Sequence, residues 1–337
     1  MRGEPPSSVV LFIGLSARGH GGIQRFNRRV IASLNSLGRR TAVAMRADDR
    51  RWKFTSTLFR ALWRADTVLI GHINLLPLAA LIRLLRPRTR LILFAHGIEV
   101  WGDPACRPVR RWERTLLRDA VDEVAIVSRF SMGKMAAAFA LDEGKFVLFP
   151  NAVDLPGQSA RGSGNTILAV ARLSAGEREK HVDKLVRALP ALPDARLVVI
   201  GDGPLRRELQ VLATALGVSG RVNLPGSVDE AELAEAYARA DVFALPSSKE
   251  GFGIVYLEAW ARGLPVVGSC FGGAGEVIDD GIDGITVDPV DVPALTRALE
   301  RLLHDPSLAQ QMGATGRRKV EQRYSGAAFT KNLEALL

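Results

Sequence analysis

The sequence predicts an α/β protein made of two doubly wound domains, each a parallel sheet with helices on both faces, and three observations carry that expectation. Short apolar runs alternate with helical patterns along most of the chain, which is the grammar of β-α-β units rather than of hairpins. A stretch rich in Gly, Ser and Pro, residues 150–164, breaks the alternation, and the same grammar then starts again. The chain has 337 residues, long for one core and natural for two.

The first apolar run covers residues 9–14. A glycine turn and a helical pattern over 24–37 follow it, the opening of a doubly wound unit. Further runs at 41–45, 67–70, 91–95, 123–127 and 145–149 complete a first domain, residues 1–156. Beyond the linker come strands at 166–170, 196–200, 222–224, 242–245 and 266–268, with helices from 182 and over 205–216, 230–239 and 254–262. These make a second domain, residues 157–325. The last segment, 326–337, is helical in pattern and is expected to pack back on the first domain.

The composition, 47% hydrophobic and 24% charged, supports packed interiors and excludes a disordered chain. Charge is uneven: residues 1–150 hold 25 basic and 12 acidic side chains, a balance of +13, whereas the remainder balances at −4. A basic first half suits phosphates, an anionic membrane surface or nucleic acid, and an arginine-rich solvated surface produces the same imbalance. The two cysteines, Cys106 and Cys270, offer neither a disulfide framework nor metal spacing, so a reducing cytoplasm is expected. The N-terminus shows no signal-peptide pattern, and the most apolar stretch, residues 69–85, is too broken by Gly71, His72, Asn74, Pro77 and Arg83 to span a bilayer.

The densest chemical signal is KEGFGIVYLE, residues 249–258. Glu250 precedes a Gly-Phe-Gly turn and then a helix. Backbone amides at such a helix start form an anion site, and the glycines let ligand oxygens come close. Glu258 lies about one turn into that helix, able to face the same mouth as Glu250. Carboxylates would repel phosphates, so a phosphate cradle flanked by two acids suits a ligand with phosphate in the middle and hydroxyls at both ends, as in a nucleotide sugar.

This Glu-x7-Glu pattern, with GFG after the first acid, resembles the retaining glycosyltransferases of the large family four, of the "glycosyl transferases group 1" type. The resemblance covers most of the chain and is denser in its second half. It implies the GT-B fold, two Rossmann-like domains facing each other across a cleft, with the acceptor on the first domain and the nucleotide sugar on the second. It implies that Glu250 contacts the donor sugar, that Gly251, Phe252, Gly253, Ile254 and Val255 meet sugar and diphosphate, and that Glu258 binds ribose hydroxyls. It makes Gly21 and Gly22, in GGIQRFN, a first-domain lip of the donor site. The residues alone equally fit any tight strand-to-helix turn, and they lack the GxGxxG spacing of a dinucleotide fingerprint.

His96, at the end of a strand in AHGIEVWG, sits where open α/β sheets bind ligands. The family histidine here contacts the donor sugar, which implies an active-site role for His96. Glu99 follows in the same loop, either facing the acceptor or solvated. In ARLSAGEREK, Arg172 and Lys180 resemble the family's basic pair that neutralises the leaving diphosphate, chemistry that fits charge developing on the departing group. The family lysine usually precedes glycine, whereas Lys180 precedes His181; Lys184 is the substitute. PNAVD (150–154), LPGSV (224–228) and GGAGEVI (272–278) match further landmarks, with Val228 near the base; loop chemistry alone also accounts for them.

His20, His72, His96, His181 and His304 have no ligand spacing, and the chain contains no Asp-x-Asp triplet, so no metal or other cofactor is expected. The expected reaction is metal-independent sugar transfer with retention, from a UDP- or GDP-sugar to a lipid-linked or polysaccharide acceptor in surface-glycan synthesis. Basic aromatic segments, RRWKF (50–54) and RRWER (110–114), suggest loose attachment to the anionic inner face of the cell membrane. Two rivals share parts of the evidence: a GT-B nucleotide-sugar epimerase that needs no acceptor, and a basic nucleic-acid-binding protein, for which no recognised module is present. Nothing in the sequence bears on oligomeric state.

Overall fold

The computed structural model describes residues 9–19, 21–104, 106–157 and 164–337; His20 and residues 158–163 of the linker lie outside them. The chain forms two compact units, one comprising Met1–Asn151 with Gly326–Leu337, the other Ala152–Ser325. The sequence placed the boundary at residues 156 and 157.

The first unit runs β1 (Val9–Gly14), α1 (Gly22–Ser36), β2 (Arg40–Met45), α2 (Arg51–Leu62), β3 (Ala65–Ile70), α3 (Pro77–Leu85), β4 (Arg90–Ala95), α4 (Arg111–Asp119), β5 (Glu123–Ile126), α5 (Arg129–Phe139) and β6 (Phe146–Leu148). Its six strands lie in the order β2-β1-β3-β4-β5-β6, all parallel. The middle strands are near-continuous Val, Ile and Leu because both sheet faces are covered. On one face Leu58 of α2, Ile82 of α3, Leu117 of α4 and Phe139 of α5 share a core with the strands. The other face is closed by α1 and the last helix of the chain. Phe26 packs edge-on against Phe329 with ring centroids 5.5 Å apart, and the Ser33 and Thr330 hydroxyls hydrogen-bond at 2.8 Å.

The second unit contains β7 (Thr166–Val170), α6 (Val182–Ala188), β8 (Arg196–Ile200), α7 (Leu205–Ala215), β9 (Val222–Gly226), α8 (Glu230–Arg239) and β10 (Val242–Leu245). It continues through α9 (Ile254–Ala261), β11 (Val266–Ser269), α10 (Gly272–Val277), β12 (Gly284–Val287), α11 (Val292–His304) and α12 (Pro306–Arg323); α13 (Gly326–Leu336) is the helix that joins the first unit. The strand order is β12-β11-β10-β7-β8-β9, again parallel. In each unit the chain reverses direction across the sheet once, between β1 and β3 and between β7 and β10. Crevices at the carboxyl ends of such strands are where open α/β sheets bind ligands.

Helix α9, which carries Glu258, is held from behind by α12. The fully buried Trp260 donates from its indole N–H to the Asp283 carbonyl at 2.8 Å, and the Lys319 ammonium lies 5.0 Å over its ring. Gly316 permits that approach, since a β-carbon there would sit 2.0 Å from the Trp260 ring. Gly316→Ala should therefore lower the urea-unfolding stability of the second unit. A gain of about 1 kcal/mol in helix propensity is outweighed by overpacking that costs roughly 1–3 kcal/mol and displaces α9. A variant as stable as the parent would refute this packing.

Candidate functional site

In the second unit the site is built where β10 gives way to α9. Gly253 precedes the helix with φ +87°, and a β-carbon there would fall 2.4 Å from the Tyr256 ring. Tyr256 is fully buried and donates its hydroxyl to the Leu245 carbonyl at 2.6 Å, pinning the first turn of α9 to the end of β10. Burial first, and the Glu250 charge second, push its phenol well above the ordinary value, so it is a neutral donor. Residues 272–275 press against the same turn: the Gly273 amide donates to the Glu250 carbonyl at 2.7 Å, and a β-carbon on Gly273 would meet Gly251 backbone at 2.5 Å. These glycines serve a close backbone approach as well as their own turn. Ile254 and Val255 open the helix half-buried, and no side chain among the described residues caps its amides. Phe252 is buried edge-on against Tyr324, with centroids 5.6 Å apart.

The structure brings Arg172, Lys180 and Glu250 together around Glu177. The Lys180 ammonium is ion-paired to one Glu250 oxygen and lies 3.7 Å from Glu177, whose other oxygen accepts from Arg172 at 2.7 Å. Lys180 and Glu250 are each 14% exposed, whereas Arg172 is 77% exposed and open to solvent. Lys184 instead pairs with Asp183 at 3.2 Å. His181, standing where the family has glycine, adopts the left-handed conformation with φ +53° that glycine would accept freely. Its ring hydrogen-bonds the Ser248 hydroxyl at 2.9 Å, an interaction that offsets backbone strain on the order of 1–3 kcal/mol. Burial first, then the Lys184 charge, lowers its basicity despite nearby acids.

Glu258 is buried within α9 and accepts from the Tyr237 hydroxyl at 3.1 Å. Arg262 lies 4.5 Å over the Tyr237 ring and donates to the Glu258 carbonyl at 3.0 Å. Val228 is half-buried in the loop after β9. Among the described residues no group of three or more His, Cys, Asp and Glu is placed to hold a metal ion.

In the first unit Gly21 and Gly22 begin α1, again with no side-chain cap among the described residues. The preceding loop is tied down by Asp48, which accepts from the Ser16 hydroxyl and the Ala17 amide, both at 2.6 Å. Burial opposes ionisation there, but those hydrogen bonds hold the Asp48 carboxyl below its ordinary value. His96 follows β4, and its Nε2 lies 2.8 Å from the Gly71 carbonyl at the end of β3. The Glu99 carboxylate turns back to accept from the His96 amide at 2.5 Å and the Gly97 amide at 3.2 Å. Behind His96 stands His72, stacked at 6.0 Å between centroids, its Nδ1 accepting from the Asn74 amide at 3.0 Å. The sequence showed His72 as an interruption of an apolar stretch and as a histidine without metal-ligand spacing; its place two residues beyond β3, beside the strand-order reversal, was the available signal.

The chain is similar to known proteins along most of its length. Residues 155–319 match the family model for glycosyl transferases group 1, and residues 35–152 match the glycosyl transferase 4-like domain. The chain belongs to the group 1 glycosyl transferases. It is 36% identical over 252 residues to a GDP-mannose-dependent alpha-(1-6)-phosphatidylinositol monomannoside mannosyltransferase of Mycolicibacterium smegmatis, a match spanning 68% of this chain and 64% of the relative. With the protein so described from Mycobacterium tuberculosis H37Rv the identity is 34%, over 73% of this chain and 70% of the relative. Among solved structures, the fold of this glycosyl transferase matches the sucrose-phosphate synthase of Thermosynechococcus elongatus with a TM-score of 0.78 at 20% identity, over 98% of each chain. A HepE protein of Anabaena, solved with UDP and glucose, matches with a TM-score of 0.72 at 17% identity, covering 97% of this chain and 98% of that one. The two Rossmann-like domains are those of the GT-B fold.

Burial lowers the His72 pKa to about 4, with the His96 and Arg107 charges helping and Glu99 opposing. A histidine depressed in the fold contributes no penalty above its unfolded pKa near 6.5, and stability is lost as pH falls from there toward 4. We expect His72→Asn, which keeps an acceptor for Asn74, to remove about 2 kcal/mol of the destabilisation seen between pH 7.5 and pH 5. Parallel urea titrations of variant and parent check this; identical pH slopes would contradict a neutral buried His72.

Proposed function

We propose that this glycosyl transferase moves a hexosyl group from a nucleotide diphosphate sugar to a hydroxyl of a lipid-linked or glycan acceptor, with retention at the anomeric carbon and without a metal ion. The observation that carries this reading is the Arg172–Glu177–Lys180–Glu250 cluster at the uncapped start of α9. Two cations beside helix-start amides suit a diphosphate that gains negative charge as it leaves. Glu250, ion-paired to Lys180, suits an acceptor of hydrogen bonds from sugar hydroxyls better than a free nucleophile, which sets this site apart from the paired carboxylates of glycosidases. Glu258, held by Tyr237, is the second hydroxyl acceptor, for the ribose. With Glu250 so occupied, the leaving phosphate takes the proton of the incoming acceptor hydroxyl on the same face. His96, its ring held by the Gly71 carbonyl, is the group assigned to the transferred sugar.

The mycobacterial relatives named for GDP-mannose and a phosphatidylinositol glycolipid make GDP-mannose the first donor to test and a lipid-borne hydroxyl the first acceptor class. That reading places the protein in the cytoplasm, against the inner face of the membrane, where nucleotide sugars and lipid-linked acceptors meet. No described helix is long and apolar enough to cross a membrane.

Single variants Arg172→Ala, Lys180→Ala and Glu250→Ala should each lower kcat/KM for the donor on the order of 100-fold or more. His96→Ala should lower kcat. Turnover should survive EDTA, and GDP or UDP should raise the melting temperature of the parent. Near-normal turnover in Glu250→Ala or Arg172→Ala would sink the site assignment, and loss of turnover in EDTA would sink the metal-free mechanism.

A further inference from the structure

Helix α2 has two apolar faces, and the core uses only one. Leu58, Ala61 and Leu62 are buried in the core. Trp52, Phe59 and Trp63 point the other way and are 68%, 46% and 59% exposed. Their spacings of seven and four residues bring them within about 40° of one another around a helix turning 3.6 residues per turn. Such a stripe is not ordinary scattered surface: three large aromatics in one row are costly to leave in water. Lys53, Arg60 and Arg64 run along one side of it.

The neighbouring helices extend the same surface. Helices α2, α3 and α4 cover the same face of the sheet. Arg86, just past α3, donates to the Leu62 carbonyl at 3.1 Å and so ties the end of α3 to the end of α2. On α3, Leu84 is 79% exposed, and at the start of α4 Trp112 is 40% exposed with Arg110 5.9 Å over its ring. From Arg50 to Arg118 the chain carries fourteen basic and four acidic residues, so charge on this layer is one-sided. Of the acids, Glu113 is buried against Arg107 and Glu99 is turned into its own loop; at the two ends of the segment Lys53 pairs with Asp49 at 2.8 Å and Arg118 with Asp119 at 2.7 Å, which still leaves basic residues in excess.

We propose that the outer face of α2, α3 and the start of α4 docks on an anionic phospholipid bilayer, with Trp52, Phe59, Trp63 and Leu84 entering the interface and the flanking Lys53, Arg60, Arg64 and Arg110 meeting lipid phosphates. Aromatic rings set among cations are the composition that an anionic interface rewards. A second copy meeting the same face would bring like charges together, which disfavours a symmetric dimer here. Topology gives the surface a use. Helix starts follow strand carboxyl ends, so Trp52 and Trp112 lie toward the sheet edge that carries His96. A bilayer held there presents hydroxyls of its headgroups to that edge, and in this respect the inference rests on the lipid-borne acceptor proposed above.

The test is sedimentation of the full chain with vesicles of phosphatidylcholine alone or mixed with phosphatidylglycerol. Parent protein should sediment with the mixed vesicles only, shift its tryptophan emission to the blue, and release in high salt. Each basic residue near such a surface strengthens partition roughly fivefold, so Lys53→Glu/Arg60→Glu/Arg64→Glu should weaken binding roughly 100-fold or more. Trp52→Ser/Phe59→Ser/Trp63→Ser should abolish the blue shift. Circular dichroism and stabilisation by GDP or UDP, which reads the second unit, should be unchanged in both variants. Equal sedimentation of parent and variants would overturn the proposal. So would a parent dimer that the aromatic variant turns into a monomer, or duplex DNA that displaces the protein from vesicles at matched charge. Absent nucleotide stabilisation with vesicle binding intact would count against the donor reading and still support the surface.

Discussion

The ion pair between Lys180 and Glu250 is the contact around which the proposed donor site of the second unit is organised. It joins the turn after β7 to the turn before α9, the two strands flanking the reversal of strand order being β7 and β10. Both partners are mostly withdrawn from water, so their attraction is offset by desolvation and the pair is a weak source of net stability. Its value is positional. Removing either partner strands a charge in a tight site, and keeping both holds an ammonium and a carboxylate at fixed places beside the α9 amides. Glu177 extends the arrangement to Arg172, so each cation has an acid partner.

Everything around this pair constrains backbone. Tyr256 anchors the first turn of α9 to β10, the glycines at 272 and 273 press against residues 250 and 251, and Trp260 locks the rear of the helix against Asp283 and α12. The Tyr256 and glycine contacts are apolar or neutral, and the one charge at the rear, the Lys319 ammonium over the Trp260 ring, is itself paired with Asp279 and Asp283. A rigid frame whose charges are already paired is the preorganised setting that the proposed chemistry of the cluster needs.

The legible parts of the sequence were those where one physical requirement selects one residue type. Both sheets could be read because strands covered on two faces must be apolar throughout, and the turn at 251–253 because left-handed backbone favours glycine. The edge strand β12 went unread, since Gly284–Val287 is short and follows an Asp-Gly-rich stretch that looks like loop. His181 looked like a departure from the family pattern, and only coordinates reveal that it holds a glycine-like conformation through Ser248. Tyr256 and His72 were silent because their roles come from long-range neighbours, Leu245 in one case and His96 in the other, which no local spacing encodes. The segment RRWKF was legible as basic and aromatic, but which of its residues face out became clear only when Phe54 turned toward the core and Trp52 away from it.

The charge asymmetry now has a physical reading. The second half of the chain balances at −4 although it contains the cluster suited to an anionic ligand, so its net field does not draw that ligand in. Under the proposed reading two cations, the withdrawn Lys180 and the solvent-open Arg172, and the amides at one helix start do so locally, over a few ångströms. The first half, at +13, has the opposite design: arginines spread over outer helix faces outnumber the acids that can pair with them, and their excess acts over about a Debye length. A field of that kind cannot select one small molecule among many, because it lacks convergence on a point. It suits an extended anionic surface, where many weak contacts add and orientation matters more than identity.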